Sequence, residues 1–216
     1  GGSKGIPKKN IIDFCGMPLL YWTIEQCQKA SHVRDVWVSS DDTEILNIAS
    51  YYGANLIKRP KEFSEDSSSS EDGWIHALKS IKNDVDIVLA PQVTSPLREI
   101  RDINNAIEKF IDSNLDSLFS ASTSSDLFYW GENHKGLLES ISYNYKNRKR
   151  RQIASKQIIE NGSFYLFKPD LILTENNRVG GKIGYFEMEF WKMFEIDDFD
   201  DLRMCSAIMK EFLNKE

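Results

Sequence analysis

Apolar positions recur near helical spacing from Pro18 to Ala30, where Leu19, Leu20, Trp22, Thr23 and Cys27 share a face. That period predicts an amphipathic helix. Val33 to Ser39 is a short apolar run and predicts a strand. Asp41 stands three residues before Glu44, the spacing of a capping box, and predicts a helix that ends near Gly53. Asn55 to Lys58 predicts a second strand, broken by Arg59-Pro60 and followed by a polar loop through Ser70. Glu71 to Lys82 predicts a helix, and Val85 to Leu89 a buried strand leading into Pro91-Gln92-Val93-Thr94-Ser95-Pro96. Residues 99–112 carry Ile100, Ile103, Ile107 and Phe110 on one face of a helix. Asp116 to Ala121, Gly162 to Phe167 and Ile183 to Met188 predict further strands, with a turn at Gly180-Gly181. Asp198 to Asn214 predicts a closing helix.

Strands alternating with helices argue for a mostly parallel sheet covered on both faces. Residues 122–160 interrupt the rhythm. They are polar, with short apolar alternations at Leu137-Leu138 and Ile141-Tyr143, and predict a hairpin arm leaving the sheet. The expected organisation is one domain over residues 1–216 with this arm inserted in it. Its length of 216 residues suffices to bury a core without covalent staples.

Composition narrows the function classes. Lys and Arg number 27 against 33 Asp and Glu, a net charge of −6, which argues against nucleic acid as partner. Cys15, Cys27 and Cys205 are odd in number and lack metal-ligand spacing, as expected of reduced thiols in a cytoplasmic protein. The chain has no apolar run of bilayer length, so no membrane partner is expected. Lys146, Arg148, Lys149, Arg150 and Arg151 form a basic cluster against this acidic background. As an isolated run it reads as a solvated loop.

The first residues concentrate the candidate chemistry. Gly1-Gly2-Ser3-Lys4-Gly5-Ile6-Pro7-Lys8-Lys9-Asn10 combines three glycines, a hydroxyl and three lysines. Free N–H groups in a glycine-rich turn can cradle an anion, and lysines add compact positive charge suited to phosphates. The spacing differs from the G-x-x-x-x-G-K-[ST] loop. A tag-derived start is the bland reading of the first five residues, and Ile6-Pro7-x-Lys9-Asn10 argues against it. In open sheets, ligands bind beyond the carboxyl ends of strands. Asp41, Arg59, and Gln92 with Ser95 each follow a predicted strand, which gathers them at one edge. Near the C-terminus, alternation places Glu195 and Asp197 on one face of an extended segment. Their hard oxygens suit a divalent cation. Asp198 to Asp201 read as helix capping. Phe128-Tyr129-Trp130 reads as core or interface, and His76 as a structural helix residue.

The N-terminal segment resembles the nucleotide-binding loop of the CMP-sialic acid synthetases (acylneuraminate cytidylyltransferases), where a strand ending in Ala-Arg runs into Gly-Gly-Ser-Lys-Gly-x-Pro-x-Lys-Asn. The resemblance implies a strand and an arginine ahead of Gly1. It extends through Arg59-Pro60-x-Glu62 to Ser70, through Gln92-x-Thr94-Ser95-Pro96-Leu97-Arg98, through Arg148, Arg151 and Gln152, through Glu160 to Tyr165, and through Gly180 to Met188. It covers almost the whole chain in order. What it implies is a three-layer, mostly parallel α/β sheet of the nucleotide-diphospho-sugar transferase type, Rossmann-like, with a protruding dimerisation arm. Gly2, Ser3, Lys4, Lys9, Asn10, Arg59 and Ser70 would bind the nucleotide. Gln92, Thr94, Ser95, Arg148, Arg151 and Gln152 would bind the acid sugar. Lys9 and Asp197 would be catalytic. The family's Asp-Ile-Asp metal motif aligns with Glu195-Ile196-Asp197, so Asp197, with Glu195 one methylene longer, would hold magnesium or manganese.

The implied reaction joins CTP to an acid sugar, with release of pyrophosphate. An anomeric hydroxyl attacks the α-phosphorus, so the site must neutralise converging anions and hold an in-line geometry. N-acylneuraminate is the expected sugar; Kdn, legionaminate, pseudaminate and Kdo share its carboxylate and anomeric hydroxyl. The Kdo branch has an acidic residue where Gln92 stands. A catalytically silent binding protein on the same fold is the alternative from another class. The resemblance also implies a homodimer whose arm reaches the neighbour's site, and a cytoplasmic location, or a nuclear one in an animal.

Overall fold

The computed structural model describes residues 5–63, 69–124, 128–148 and 157–213. Its strands are β1 (Asp13–Phe14), β2 (Met17–Pro18), β3 (Trp37–Ser40), β4 (Asn55–Lys58), β5 (Val88–Pro91), β6 (Ser117–Ser124), β7 (Trp130–Glu132), β8 (Leu138–Ser140), β9 (Gln157–Phe167) and β10 (Ile183–Glu187). Its helices are α1 (Leu19–Lys29), α2 (Thr43–Tyr51), α3 (Ser70–Ser80), α4 (Ile100–Asp112), α5 (Pro169–Glu175) and α6 (Phe199–Ile208).

The central sheet has the order β10-β6-β9-β5, and β3 pairs with β4 alongside it. β10 is parallel to β6, and β3 to β4, but β9 is antiparallel to both β6 and β5. The expected mostly parallel sheet is therefore mixed. The chain comes back to the sheet from the arm rather than through a crossover helix, and parallel pairing needs such a crossover.

Alternation along β9 builds the three layers. Phe164 and Leu166 turn to one face, against Ile103, Ile107 and Phe110 of α4. Tyr165 and Phe167 turn to the other, against Leu171 and Ile172 of α5 and Trp74 and Leu78 of α3. A third cluster lies at the site end of the molecule, where Ile6, Leu97, Ile196 and Cys205 pack together. All three cysteines are free. Among the described residues no helix is long and apolar enough to cross a membrane.

Two boundaries move for identifiable reasons. The cap of α2 is Asp42, not Asp41: its carboxylate accepts from Glu44 N at 2.7 Å and Ile45 N at 3.4 Å. β5 lies later than the apolar run Val85–Leu89, because its register against β9 runs from Val88↔Phe167 to Pro91↔Phe164. Between β3 and β5 lies a cavity of about 700 Å³, lined by Val36 to Ser39 on one side and Ile87 to Pro91 on the other. In the region expected to be an arm, β7 and β8 form an antiparallel hairpin.

Candidate active site

From Gly5 onward the N-terminal loop is built into the protein. Ile6 is 0% exposed and packs with Leu97 and Ile196. A Cβ on Gly5 would stand 2.2 Å from the carbonyl oxygen of Asp197, so only glycine lets the loop approach that segment so closely. Lys8 turns the chain with φ of 53°, and Lys9 opens a short 3₁₀ helix, Lys9–Ile11. Lys9 Nζ donates to Asp197 Oδ1 at 2.8 Å. The lysine side chain is 12% exposed and the aspartate 74%, so the ammonium rises from beneath a carboxylate that faces solvent. Asn10 follows, half-buried.

The second wall is the loop after β5. Gln92 N donates to Ser163 O at 3.0 Å, and Ile196 N donates to Thr94 O at 2.8 Å. Through these two bonds the loop joins both β9 and the Glu195–Asp197 segment. Ser95 is buried beneath the site, its hydroxyl without a well-formed hydrogen bond and close to Glu195. Burial first, then the charge of Asp197, raises the Glu195 carboxyl above the usual glutamate range against the opposing pull of Lys9, Ser95 and Arg98. A divalent cation between Glu195 and Asp197 would relieve both causes. The donor set therefore fits the magnesium expected there.

β9 contributes a bulge. Phe119 pairs with Tyr165 but Ala121 pairs with Glu160, so β9 carries extra residues between them. Gly162 sits in this bulge at φ of 66°, where a Cβ would lie 2.0 Å from Glu195 Oε1 and 3.8 Å from Gln92 Nε2. The bulge is pinned by Phe164 N donating to Ser120 Oγ at 2.9 Å and Asn161 Nδ2 donating to Ser122 Oγ at 3.3 Å. Arg59 follows β4 directly, and Ser70 opens α3. Arg59 lies close against α3 because Gly73 lacks a side chain: a Cβ there would stand 2.6 Å from Arg59 Nη1. Both line the cavity between β3 and β5.

Arg148 lies on the arm, its guanidinium 4.4 Å from the Phe128 ring centre and 6.0 Å from that of Tyr143. Among the described residues no contact within the chain joins it to Gln92. Gly2, Ser3, Lys4, Arg151 and Gln152 lie outside the described residues. Trp130 is exposed on the arm, and His76 packs against Phe63 at 5.4 Å between ring centres. Asp198 caps α6, accepting from Asp200 N and Asp201 N at 2.9 Å each.

Three further features were not singled out from sequence. Asp201 does more than complete the cap: its Oδ2 accepts from Asp197 N at 3.0 Å, which holds the backbone of the candidate metal ligand. Arg98 is 1% exposed and donates to several oxygens around Gln92; a charged residue directly after Pro96-Leu97, in apolar company, was the available signal. Glu99, Asp102 and Glu189 form a cluster with metal-like spacing, but Lys192 already occupies it. Its buried Nζ lies 2.6 Å from Glu99, 2.8 Å from Asp102 and 2.7 Å from Glu189.

A family model described as Cytidylyltransferase matches residues 1–206. N-acylneuraminate cytidylyltransferase A of Danio rerio is 38% identical over 200 residues, covering 91% of this chain and 46% of that protein. Pseudaminic acid cytidylyltransferase of Campylobacter jejuni is 32% identical over 218 residues, covering 97% of this chain and 93% of that protein. The chain spans about half the length of the fish relatives it matches, at 43–47%. Among solved structures, a CMP:2-keto-3-deoxy-manno-octonic acid synthetase complexed with CTP superposes with a TM-score of 0.73 at 16% identity, over 97% of this chain and 94% of that one. A 4-diphosphocytidyl-2C-methyl-D-erythritol synthase from Anaerococcus prevotii gives 0.66 at 14%, over 92% and 88%. At those identities the likeness is one of fold. Sequence relationship over nearly the full chain, on a fold shared with nucleotidyl transferases, leads to one conclusion: this chain belongs to the cytidylyltransferase family.

Proposed function

We propose that this chain transfers CMP from CTP to the anomeric hydroxyl of a nine-carbon acid sugar of the N-acylneuraminate type, releasing pyrophosphate. The sugar oxygen bonds to the α-phosphorus, the bond to the β-phosphate oxygen breaks, and the hydroxyl proton is lost. The observation that carries the reading is the contact of Lys9 with Asp197 at 2.8 Å. It puts a phosphate-type cation and a metal-type carboxylate in one place, beside Glu195 and the Gln92 loop. Lys9 would hold the triphosphate, and Arg59 with Ser70 the nucleoside. Gln92 and Thr94 would face the sugar, and buried Ser95 would support them from below. Glu195 and Asp197 would hold magnesium or manganese, which when bound neutralises phosphate charge.

A second reading is favoured by one observation: the relative matched over 93% of its own length is named for pseudaminic acid. Pseudaminate therefore belongs in the first substrate panel. We propose further that two copies associate through the arm, with Arg148, Arg151 and Gln152 entering the neighbour's sugar site. Exposed Trp130, Leu138 and Ile141 on the hairpin support this. The test is magnesium-dependent pyrophosphate release from CTP across N-acetylneuraminate, Kdn, legionaminate, pseudaminate and Kdo. Release with a nine-carbon sugar supports the reading, and release with none overturns it.

A further inference from the structure

We propose that Arg98 is a positioning residue of this site, holding the Gln92 loop and the Gly162 bulge in the register the acid sugar requires. The inference rests on the cytidylyltransferase reading above. Arg98 Nη1 donates to Gln92 O at 3.1 Å, to Ser163 O at 2.8 Å and to Ser163 Oγ at 3.3 Å. Nη2 donates to Gln92 O at 2.8 Å and to Thr23 Oγ1 at 2.7 Å. One planar group thus fastens the loop after β5, the bulge of β9 and helix α1. From α1, Gln26 Nε2 also donates to the carbonyls of Pro96 and Arg98 at 2.9 and 2.8 Å, closing the base of the loop.

The partners are all neutral oxygens, and Nε has no partner. Among the described residues no carboxylate forms an ion pair with this guanidinium. A buried cation so placed is expensive if fastening were its only task, and burial draws its pKa down to about 10. The carboxylates that act on it are Asp102 and Glu195. Asp102 is already committed to Lys192 at 2.8 Å. Cys27, which also acts on it, is a thiol that burial keeps protonated, which leaves Glu195 as the candidate-site carboxylate that acts on this charge. A lysine keeps that charge but cannot span two carbonyls and a hydroxyl as a rigid fork does.

The test compares the full chain with Arg98→Lys and Arg98→Met. Hydrogen exchange of residues 92–97 and 161–164 is measured without substrate, and KM for CTP and for the acid sugar are measured separately. In Arg98→Lys, exchange over both segments should rise about tenfold while β3 and α2 keep parent rates. KM for the acid sugar should rise about tenfold or more, with KM for CTP within about twofold. Unchanged exchange in both segments, or equal shifts in the two KM values, would overturn the proposal, as would Arg98→Lys matching the parent throughout. If Arg98→Met does not fold, Arg98→Lys decides alone. A parent that turns over no acid sugar would sink the enzymatic reading, and the exchange result alone would then decide the role of Arg98.

Discussion

Lys9 and Asp197 stand 188 positions apart in sequence and 2.8 Å apart in space. A charge-assisted contact of Lys9 to a phosphate is worth roughly 1.5–3 kcal/mol. Lys9→Ala should therefore weaken CTP use by about one to two orders of magnitude, read as kcat/KM at limiting CTP; equal turnover would remove Lys9 from the nucleotide site. Asp197→Asn should abolish most turnover and magnesium dependence with only a modest change in melting temperature, since relief of the like charge beside Glu195 offsets the loss of the Lys9 ion pair, whose hydrogen bond the amide oxygen still accepts. Asp200→Asn should leave activity near the parent's, because the Asp200 side chain is exposed in the first turn of α6 and its carboxylate accepts from Arg203 at 3.4 Å, away from Asp197. The same activity in both variants would contradict this division. The residues brought together here were legible because loop chemistry and carboxylate alternation survive in one dimension. The supports of Asp197 were not: Gly5 against its carbonyl and Asp201 on its amide act through backbone contacts that no residue pattern encodes.

At the scale of elements, Lys192 is the pin between the start of α4 and the segment leading to Glu195. Removing one partner from a buried ionic cluster costs about 3–5 kcal/mol, so Lys192→Met should lower stability by that order in chemical denaturation. The cluster also sets an acid dependence. Burial would raise all three carboxyls; hydrogen bonds from Lys192, with Arg101 adding to the effect, outweigh it and hold Glu99 and Glu189 below the usual glutamate range, whereas burial keeps Asp102 above the usual aspartate range and acts in the opposite sense. A folded-state pKa below the unfolded one gives stability that is complete above the unfolded pKa and is lost as pH falls through the folded value. The parent should thus lose stability on acidification below about pH 4.3, and Lys192→Met should show a shallower loss. Equal slopes in urea titrations across that range would contradict the account. Most helices could be read from periodicity: α4 carries Ile103, Ile107 and Phe110 on its buried face as expected. α5 was missed because seven residues give too few turns for a period, although Pro169 at its first turn was a start signal. The direction of β9 and the late start of β5 were hidden for another reason. Pairing partners, not the apolar run itself, decide where a strand begins and which way it is used.

The whole molecule places the strand-end residues Arg59 and Gln92 immediately beyond β4 and β5, and the N-terminal loop against Asp197, so the site was legible as a set before its walls were. The arm was legible as an interruption, and the role proposed for it requires a second copy. Light scattering should give a dimer for the parent, and Leu138→Asp combined with Ile141→Asp should give monomers with reduced acid-sugar turnover; a monomeric parent with full activity would remove the arm from the site. The central claim is that one site joins CMP to an acid sugar. It is tested most directly by mass spectrometry of the product formed from CTP, magnesium and each nine-carbon acid sugar, alongside quantified pyrophosphate. The account predicts a CMP-linked sugar in equal amount to pyrophosphate in the parent, and almost none in Asp197→Asn. Pyrophosphate without a CMP-sugar, or equal product from Asp197→Asn, would contradict it.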